Sequence, residues 1–405
     1  MLSTRASVNA SPNRISIALA RARSEGRPLL DLTESNPTRA EILYDHHGVL
    51  GPLSDPRSLR YDAAPFGTLS AREAVAADLR LRGRAVDPEH IVLTSSTSEA
   101  YAFLFKLLAD PGDEVLVPAP SYPLFEHLAR LETVRAVPYR LSYDGVWYVD
   151  VDSVRQRITP RSRAILMVHP NNPTGSYVKR DELAALAGLG VPLISDEVFA
   201  TYPLREDASR AESALDAADA PLVFSLGGLS KLALLPQMKV AWIVVSGDKP
   251  RVNEALDRLE LIGDTYLSVG TPAQIALPHW LASRHPVERA VLDRVRRNLG
   301  IVSGACVGKA LSALDVEGGW YVTLRLPRTQ SEETWALDLL ELDRVIVHPG
   351  HFFDFEEEAY LIVSLLTPES VLREGVRRIV ERVEGQCLSA DLFAIPTSSV
   401  LAHGK

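Results

Sequence analysis

Between residues 91 and 246 the chain repeats one pattern, and no other feature constrains its fold as strongly. A short apolar run is followed by a polar or glycine-containing turn and then by apolar residues at helical spacing. The runs predict strands at Ile91–Leu93, Glu114–Pro118, Ala164–Val168, Val191–Ser195, Leu222–Leu226 and Val240–Ser246. The intervening and flanking segments predict helices at Ser70–Arg82, Ser98–Leu108, Tyr122–Leu131 and Asp181–Ala187. Runs without polar alternation belong to strands buried on both faces, and the helices supply the crossovers. An α/β fold follows, with a mainly parallel, doubly covered sheet and right-handed connections.

Beyond residue 248 the pattern changes. Helices are expected at Arg251–Ile262, Pro272–Ala282 and Pro286–Leu311, the last broken near Gly300. Strand Trp320–Leu326, helix Glu332–Leu342, strand Tyr360–Leu365 and helix Pro368–Val383 then suggest a smaller α+β domain. A chain of 405 residues suits two domains. The expected division is a large domain over 46–283 and a small one over 284–387. An N-terminal segment, 1–45, joins the small domain, with a helix starting at Ser11-Pro12, and residues 388–405 form a loose tail.

Composition excludes several classes of function. The net charge of −9 argues against nucleic acid or an anionic membrane as partner. No apolar run approaches the roughly 18 residues of a membrane helix. Cys306 and Cys387 alone cannot make a disulfide framework or a Cys-rich zinc site. No HExxH, CxxC or P-loop pattern occurs, and His46 and His47 read as surface residues, so no metal is expected. The N-terminus is rich in Ser and Arg, a weak likeness to a transit peptide, but the capped helix start is the better reading. The chain reads as reduced and cytoplasmic.

Chemistry gathers where strands end. Val168-His-Pro-Asn-Asn-Pro-Thr-Gly175 follows one strand and offers the Asn172 amide to the crevice at the carboxyl ends of the sheet. Asp196 closes the next strand, where a helix cap is the plainer role for a lone Asp. The following strand leads to Gly227-Gly-Leu-Ser-Lys231, and Lys231 lies in the most apolar surroundings of the seven lysines. A desolvated Lys is the type that forms Schiff bases. Ser95, Ser96 and Thr97 follow a strand and open a helix, as a phosphate site would, although taken alone a simple N-cap is the plainer reading.

This order of phosphate loop, amide, carboxylate and isolated Lys resembles the class I/II aminotransferases of fold type I, which use pyridoxal 5′-phosphate. The resemblance covers about residues 28 to 385. It implies that Lys231 forms the internal aldimine and moves the substrate proton, that Asp196 pairs with the pyridine nitrogen, and that Asn172 donates to the ring O3′. It further implies Ser95, Ser96, Thr97, Ser230 and Lys239 around the phosphate, with Tyr122 stacked on the ring. Tyr61 would reach the phosphate of a neighbouring subunit, which implies a homodimer with shared sites. Asn36 lies in the loop that closes over the substrate. The implied partners are an amino donor and a 2-oxo acid. A β-eliminating lyase of the same fold, or a binding protein without catalysis, would retain the same residues.

Four positions depart from the family pattern. Phe199 replaces a Tyr that donates to O3′. Lys239 replaces the phosphate-binding Arg, keeping charge but not a two-pronged contact. Gly228 replaces a phosphate-binding Ser, for which Ser225 and Ser230 are the candidate substitutes. Ile362 takes the place of the Arg that holds the substrate carboxylate. Arg344 and Arg373 fall on other elements, leaving Arg39, Arg325, Asn36 and Ser364 as candidates to serve instead. Asp264 falls near where dicarboxylate-specific members carry a partner-subunit Arg, and an acid there would repel acidic substrates. With Phe199 one donor to the phenolate is missing, so the aldimine pKa should lie above that of relatives with Tyr. A pH titration of the visible spectrum checks this, and deprotonation well below neutral pH would contradict it.

Overall fold

The computed structural model describes residues 2–7 and 11–393. A short strand, β1 (Leu30–Asp31), precedes the large sheet. That sheet comprises β2 (Ile91–Thr94), β3 (Glu114–Ala119), β4 (Arg135–Tyr143), β5 (Trp147–Val149), β6 (Ser162–Val168), β7 (Leu193–Asp196), β8 (Leu222–Gly228) and β9 (Ala241–Gly247). The spatial order is β2-β9-β8-β7-β6-β3-β4-β5. Strands β8, β7, β6, β3 and β4 run parallel, whereas β9 is antiparallel to both neighbours and β5 to β4.

Alternate residues of the central strands go to opposite faces, and both sets are apolar. Val115, Val117, Leu166 and Ile194 pack with Phe103, Leu104 and Leu259 of the helices on one side. Leu116, Ile165, Met167 and Leu193 pack with Leu183 and Leu186 on the other. This two-sided burial is why the sequence shows continuous apolar runs. The outermost pair on that side, β4 and the edge strand β5, gave no such signal. Pro138 and the charged Arg135 and Arg140 interrupt β4, and its outer neighbour β5 spans only Trp147–Val149.

The second sheet is antiparallel, in the order β10 (Ser312–Ala313), β11 (Tyr321–Arg325), β14 (Tyr360–Ser364), β13 (His348–Pro349), while β12 (Val345–Ile346) pairs with β1. Its core joins Trp335, Leu339, Val363, Leu372 and Val376 to Ile15, Ala18, Ala22 and Leu32 from the N-terminal region. The N-terminal helix spans Arg14–Ser24 and is capped by Asn13, whose Oδ1 accepts from the Ser16 N–H at 2.7 Å, so it begins later than Ser11-Pro12 suggested.

Other boundaries also moved. The helix expected from Tyr122 starts at Phe125, because Pro123 holds Tyr122 away from helical dihedrals. Helix His285–Cys306 passes Gly300 unbroken and ends before Leu311. The last helix, Glu369–Phe393, continues through the start of the expected loose tail. Residues 394–405 of that tail lie outside the described residues. No helix among the described residues is long and apolar enough to cross a membrane.

A small set of bonds fastens the N-terminal segment across the end of β14. The Ser364 N–H donates to the Leu32 carbonyl at 2.7 Å, and its fully buried hydroxyl donates to the Glu34 carbonyl at 2.6 Å. The Leu366 N–H donates to the same hydroxyl at 3.2 Å. Ser364→Ala leaves two backbone groups without that partner and should cost about 1–3 kcal/mol. Urea unfolding should show a lower midpoint with an unchanged slope.

Candidate active site

Parallel pairing of β6, β7 and β8 brings three chain segments to one edge of the sheet, with Val168, Asp196 and Leu226 in register. Asp196 is the last residue of β7 and is 8% exposed. Its Oδ2 accepts from the Tyr101 hydroxyl at 2.8 Å and its Oδ1 from the Val198 N–H at 3.2 Å. Burial raises its pKa from 3.8 to about 6, and the Tyr101 bond opposes that rise. Asp196 is therefore more than a cap: it is a buried carboxylate held by a hydroxyl from helix Thr97–Leu108.

Lys231 follows β8 within the short helix Leu229–Leu232. Its Nζ lies 5.0 Å from the Trp320 ring centre and 5.5 Å from that of Phe199. Those two rings meet edge to face at 5.1 Å. Removal from water pulls the Lys231 pKa down from 10.5 to about 8, while the charge of Asp196 works in the opposite direction. The Tyr202 hydroxyl donates to the Lys231 carbonyl at 2.8 Å. The Tyr44 hydroxyl donates to the Leu234 carbonyl at 2.7 Å, where Leu234 has φ of +59°. Two tyrosines thus hold the turn that aims the amine.

The two adjacent asparagines have divided roles. Asn171 builds the loop: its Nδ2 donates to the Pro120 carbonyl and to Thr174 Oγ1, and its Oδ1 accepts from the Ser121 hydroxyl. Asn172 is buried, and its Oδ1 has no partner among the described residues. Gly175 closes the loop at φ of +71°, and a Cβ there would meet the Gly318 carbonyl at 2.6 Å.

At the start of helix Thr97–Leu108, Ser96 is the N-cap, and its Oγ accepts from the Glu99 N–H at 3.2 Å. The Ser95 N–H donates to Glu99 Oε2 at 2.6 Å, and the Ser268 hydroxyl reaches the same oxygen at 2.6 Å. This reciprocal cap uses a lone pair of the Ser96 hydroxyl and leaves its O–H, with the hydroxyls of Ser95 and Thr97, for an anion. Ser230 is half-buried beside Lys231, whereas Lys239 is exposed, with φ of +54° and no ion pair among the described residues. Ser225 is turned toward Glu197 and does not substitute for the residue missing at Gly228. A Cβ at Gly228 would meet that of Ala241 at 3.0 Å, so β9 leaves little room for a Ser there.

Tyr122 is 38% exposed, and burial together with the nearby Asp196 charge raises its pKa. Tyr321, near Tyr122, Ser35 and Glu34, is pushed up to about 12 by burial. Tyr61 stands 73% exposed. Asn36 is exposed, and its Oδ1 accepts from the Thr38 N–H and hydroxyl, so the side chain is occupied in a local turn. Ser364 is spent on Glu34, which removes it as a substrate contact. Ile362 is fully buried in β14. Arg344 pairs with Glu25 and Arg373 with Glu369. Arg325 is exposed, four residues past Tyr321 and so roughly 13 Å along β11. Asp264 is exposed on helix Lys249–Tyr266.

Tyr101, Tyr202, Tyr44, Trp320 and Tyr321 were not foreseen, because each reaches the site from an element distant in sequence. Only Tyr101 left a signal, one turn into the helix that Ser96 caps. The donor set fits pyridoxal 5′-phosphate: an amine of lowered pKa, a buried carboxylate, a buried amide that takes no part in the hydrogen bonds of its own loop, and hydroxyls at a helix N-terminus. Among the described residues no cluster of metal-ligating side chains occurs.

The family described as Aminotransferase class I and II matches residues 58–379. Glutamate-pyruvate aminotransferase AlaA of Escherichia coli (strain K12) is 32% identical over 268 residues, 64% of this chain and 64% of that protein. The chain thus spans under two thirds of that relative's length. Alanine aminotransferase of Mycobacterium tuberculosis (strain ATCC 25618 / H37Rv) is 27% identical over 384 residues, covering 89% of this chain and 86% of that protein. The structure of alanine aminotransferase from Pyrococcus furiosus superposes with a TM-score of 0.85 at 22% identity, over 95% of this chain and all of that one, which shows the fold.

The electrostatics give a direct test on the protein free of cofactor. Only the neutral amine condenses with an aldehyde, so reductive trapping of Lys231 should rise with pH about a midpoint near 8. Asp196→Asn removes the charge that favours the ammonium and should move the midpoint lower. Mass spectrometry of the Lys231 peptide reads both.

Proposed function

The chain belongs to the class I and II aminotransferases, and on that footing we propose that it transfers an amino group from an amino acid or other primary amine to a 2-oxo acid, with pyridoxal 5′-phosphate as cofactor. The observation that carries this reading is the meeting of Lys231, Asp196 and Asn172 at adjacent strand ends, with Lys231 lowered to about 8. Bound there, the cofactor supplies an aldehyde for the amine and a ring that accepts the electron pair left when the α-proton departs.

The protein's part is to bind, orient and move protons. Lys231, neutral in an appreciable fraction near neutral pH, takes the α-proton and returns it. Asp196 is fixed by Tyr101 and offers its carboxylate to a ring N–H. Asn172 offers its amide to the phenolic oxygen, and the loop around Asn171 keeps it in place. Ser95, Thr97 and Ser230 face the phosphate, with the N-terminal dipole of helix Thr97–Leu108 adding to the attraction. Tyr122 covers the ring. Residues 46–283 form the cofactor domain, and 284–387 with the N-terminal segment form the other. Exposed Tyr61, at 73%, and Tyr266, at 50%, mark the face on which a second copy completes a homodimer. The compartment is cytoplasmic.

The donor half-reaction tests this proposal. Mixed with an amino-acid and amine panel but no oxo acid, the yellow holoenzyme should bleach, and a 2-oxo acid should restore the band. Alanine and glutamate head the panel, after the names of the relatives. Lys231→Ala should lower turnover by roughly 10²–10⁴-fold. Release of ammonia and an oxo acid without acceptor would show a lyase instead, and an intact band with every donor would show a non-catalytic binder.

A further inference from the structure

A buried carboxylate stands where the turn leading into β11 meets the loop after β6. Glu317 is 3% exposed. Its Oε2 accepts from the Tyr177 N–H at 2.8 Å, and its Oε1 accepts from Arg205 Nη2 at 2.8 Å and from Lys179 Nζ. Backbone bonds run alongside. The N–H groups of Glu317 and Gly318 donate to the Gly175 carbonyl at 3.2 and 2.9 Å. The Leu204 N–H donates to the Glu317 carbonyl at 2.8 Å, and the Gly319 N–H to the Tyr202 carbonyl at 3.0 Å. Three segments, 175–179, 202–205 and 317–320, therefore meet around one side chain.

Each segment carries a part of the site. Asn172 lies three residues before Gly175, in the loop that Asn171 builds. Trp320 follows Glu317 by three residues, and its ring centre is 5.0 Å from Lys231 Nζ. Tyr202 holds the Lys231 carbonyl. The backbones of two segments are themselves in contact: a Cβ on Gly175 would meet the Gly318 carbonyl at 2.6 Å, and one on Gly318 the Tyr177 ring at 2.5 Å. Directional bonds fix such a joint, and those to ionised groups are the strongest of them. Burial of the carboxylate is tolerable because Lys179 and Arg205 neutralise it. Those cations are held in turn, Lys179 by Asp207 at 3.4 Å and Arg205 by Asp315 at 3.1 Å.

We propose that Glu317 is a positioning residue for the site: acting through Tyr177, Lys179 and Arg205, it fixes the Asn172 loop and the Trp320 ring relative to Lys231 and so keeps water from the amine. With that charge removed, the turn 317–320 lifts from the Asn172 loop, and the Trp320 ring no longer seals the space beside Lys231. The effect on turnover rests on the aminotransferase reading, whereas the effect on the amine does not.

The test compares Glu317→Gln with wild type in the full chain. Glutamine keeps the size and an acceptor for the Tyr177 N–H but leaves Lys179 and Arg205 without their shared anion. In cofactor-free protein, Lys231 is trapped with acetaldehyde and cyanoborohydride across a pH series and read by mass spectrometry. The midpoint should rise by about half a unit or more, because a wetter amine holds its proton longer. Loss of a negative charge alone would move it down, so the sign separates the two causes. Hydrogen exchange of the Trp320 indole N–H, whose NMR signal is identified by its loss in Trp320→Phe, should quicken by roughly tenfold or more. In holoenzyme, kcat of the donor half-reaction should fall roughly tenfold to a hundredfold, with KM changed less than about threefold. Asp343→Asn, which breaks the Arg382 ion pair elsewhere in the smaller domain, should leave midpoint and exchange unmoved. An unmoved or lowered midpoint, unchanged indole exchange, or equal shifts in Asp343→Asn would overturn the proposal. Arg205→Gln cuts one partly exposed partner, should move both readouts the same way by less, and decides the matter if Glu317→Gln does not fold. If both readouts move while no amine bleaches the wild-type yellow band, the aminotransferase reading fails and the positioning of Lys231 stands.

Discussion

A carboxylate and an amine at neighbouring strand ends, the first buried and the second largely shielded from water, set the terms for the rest of the molecule. Neither charge is comfortable there. Asp196 is raised toward neutrality and Lys231 is lowered toward it, so each is held near the pH at which it can change state. Keeping them so requires a dry, rigid surround. Phe199 and Trp320 exclude water above the amine, Tyr101 fixes the carboxylate, and the two-sided sheet core prevents β7 and β8 from shifting. The rings come from different chain segments: Trp320 belongs to the smaller sheet's core, so that core forms part of the wall around Lys231.

The departures from the family pattern can be read against that surround. Phe199 contributes no hydroxyl, but its ring packs edge to face on Trp320, whose indole N–H is buried without a partner among the described residues. At Gly228 β9 runs close, so a side chain there would press on Ala241. Ile362 lacks a guanidinium and is fully buried between Thr323 and His348 in the neighbouring strands.

The parts of the fold legible in the sequence were those governed by local pattern. Central strands appeared as apolar runs, and Asn172, Asp196 and Lys231 stood out because each follows such a run. What escaped was governed by pairing or by distant contact. β4 was hidden by Pro138 and its charged residues. Ser364 looked like a substrate contact from its place in the strand, yet its hydroxyl is committed to a carbonyl 330 positions earlier. Ser96 read as a phosphate ligand or a cap, and its oxygen accepts from the Glu99 N–H as a cap does. Tyr202 and Tyr44 act through backbone carbonyls of the Lys231 turn, and no spacing rule links them to it.

The helix Arg14–Ser24 finds its apolar partners, Trp335, Leu339 and Val376, more than 300 positions later in the chain. A ribosome delivers the N-terminus first, so Ile15, Ala18 and Ala22 emerge long before anything exists to cover them. The large sheet can assemble meanwhile from segments already made. The smaller core, and the Trp320 ring that it holds over Lys231, can be sealed only when nearly the whole chain has been synthesised. Interrupted synthesis would thus yield a sheet bearing the lysine but without the aromatic roof that dries it, so the reactive amine matures last.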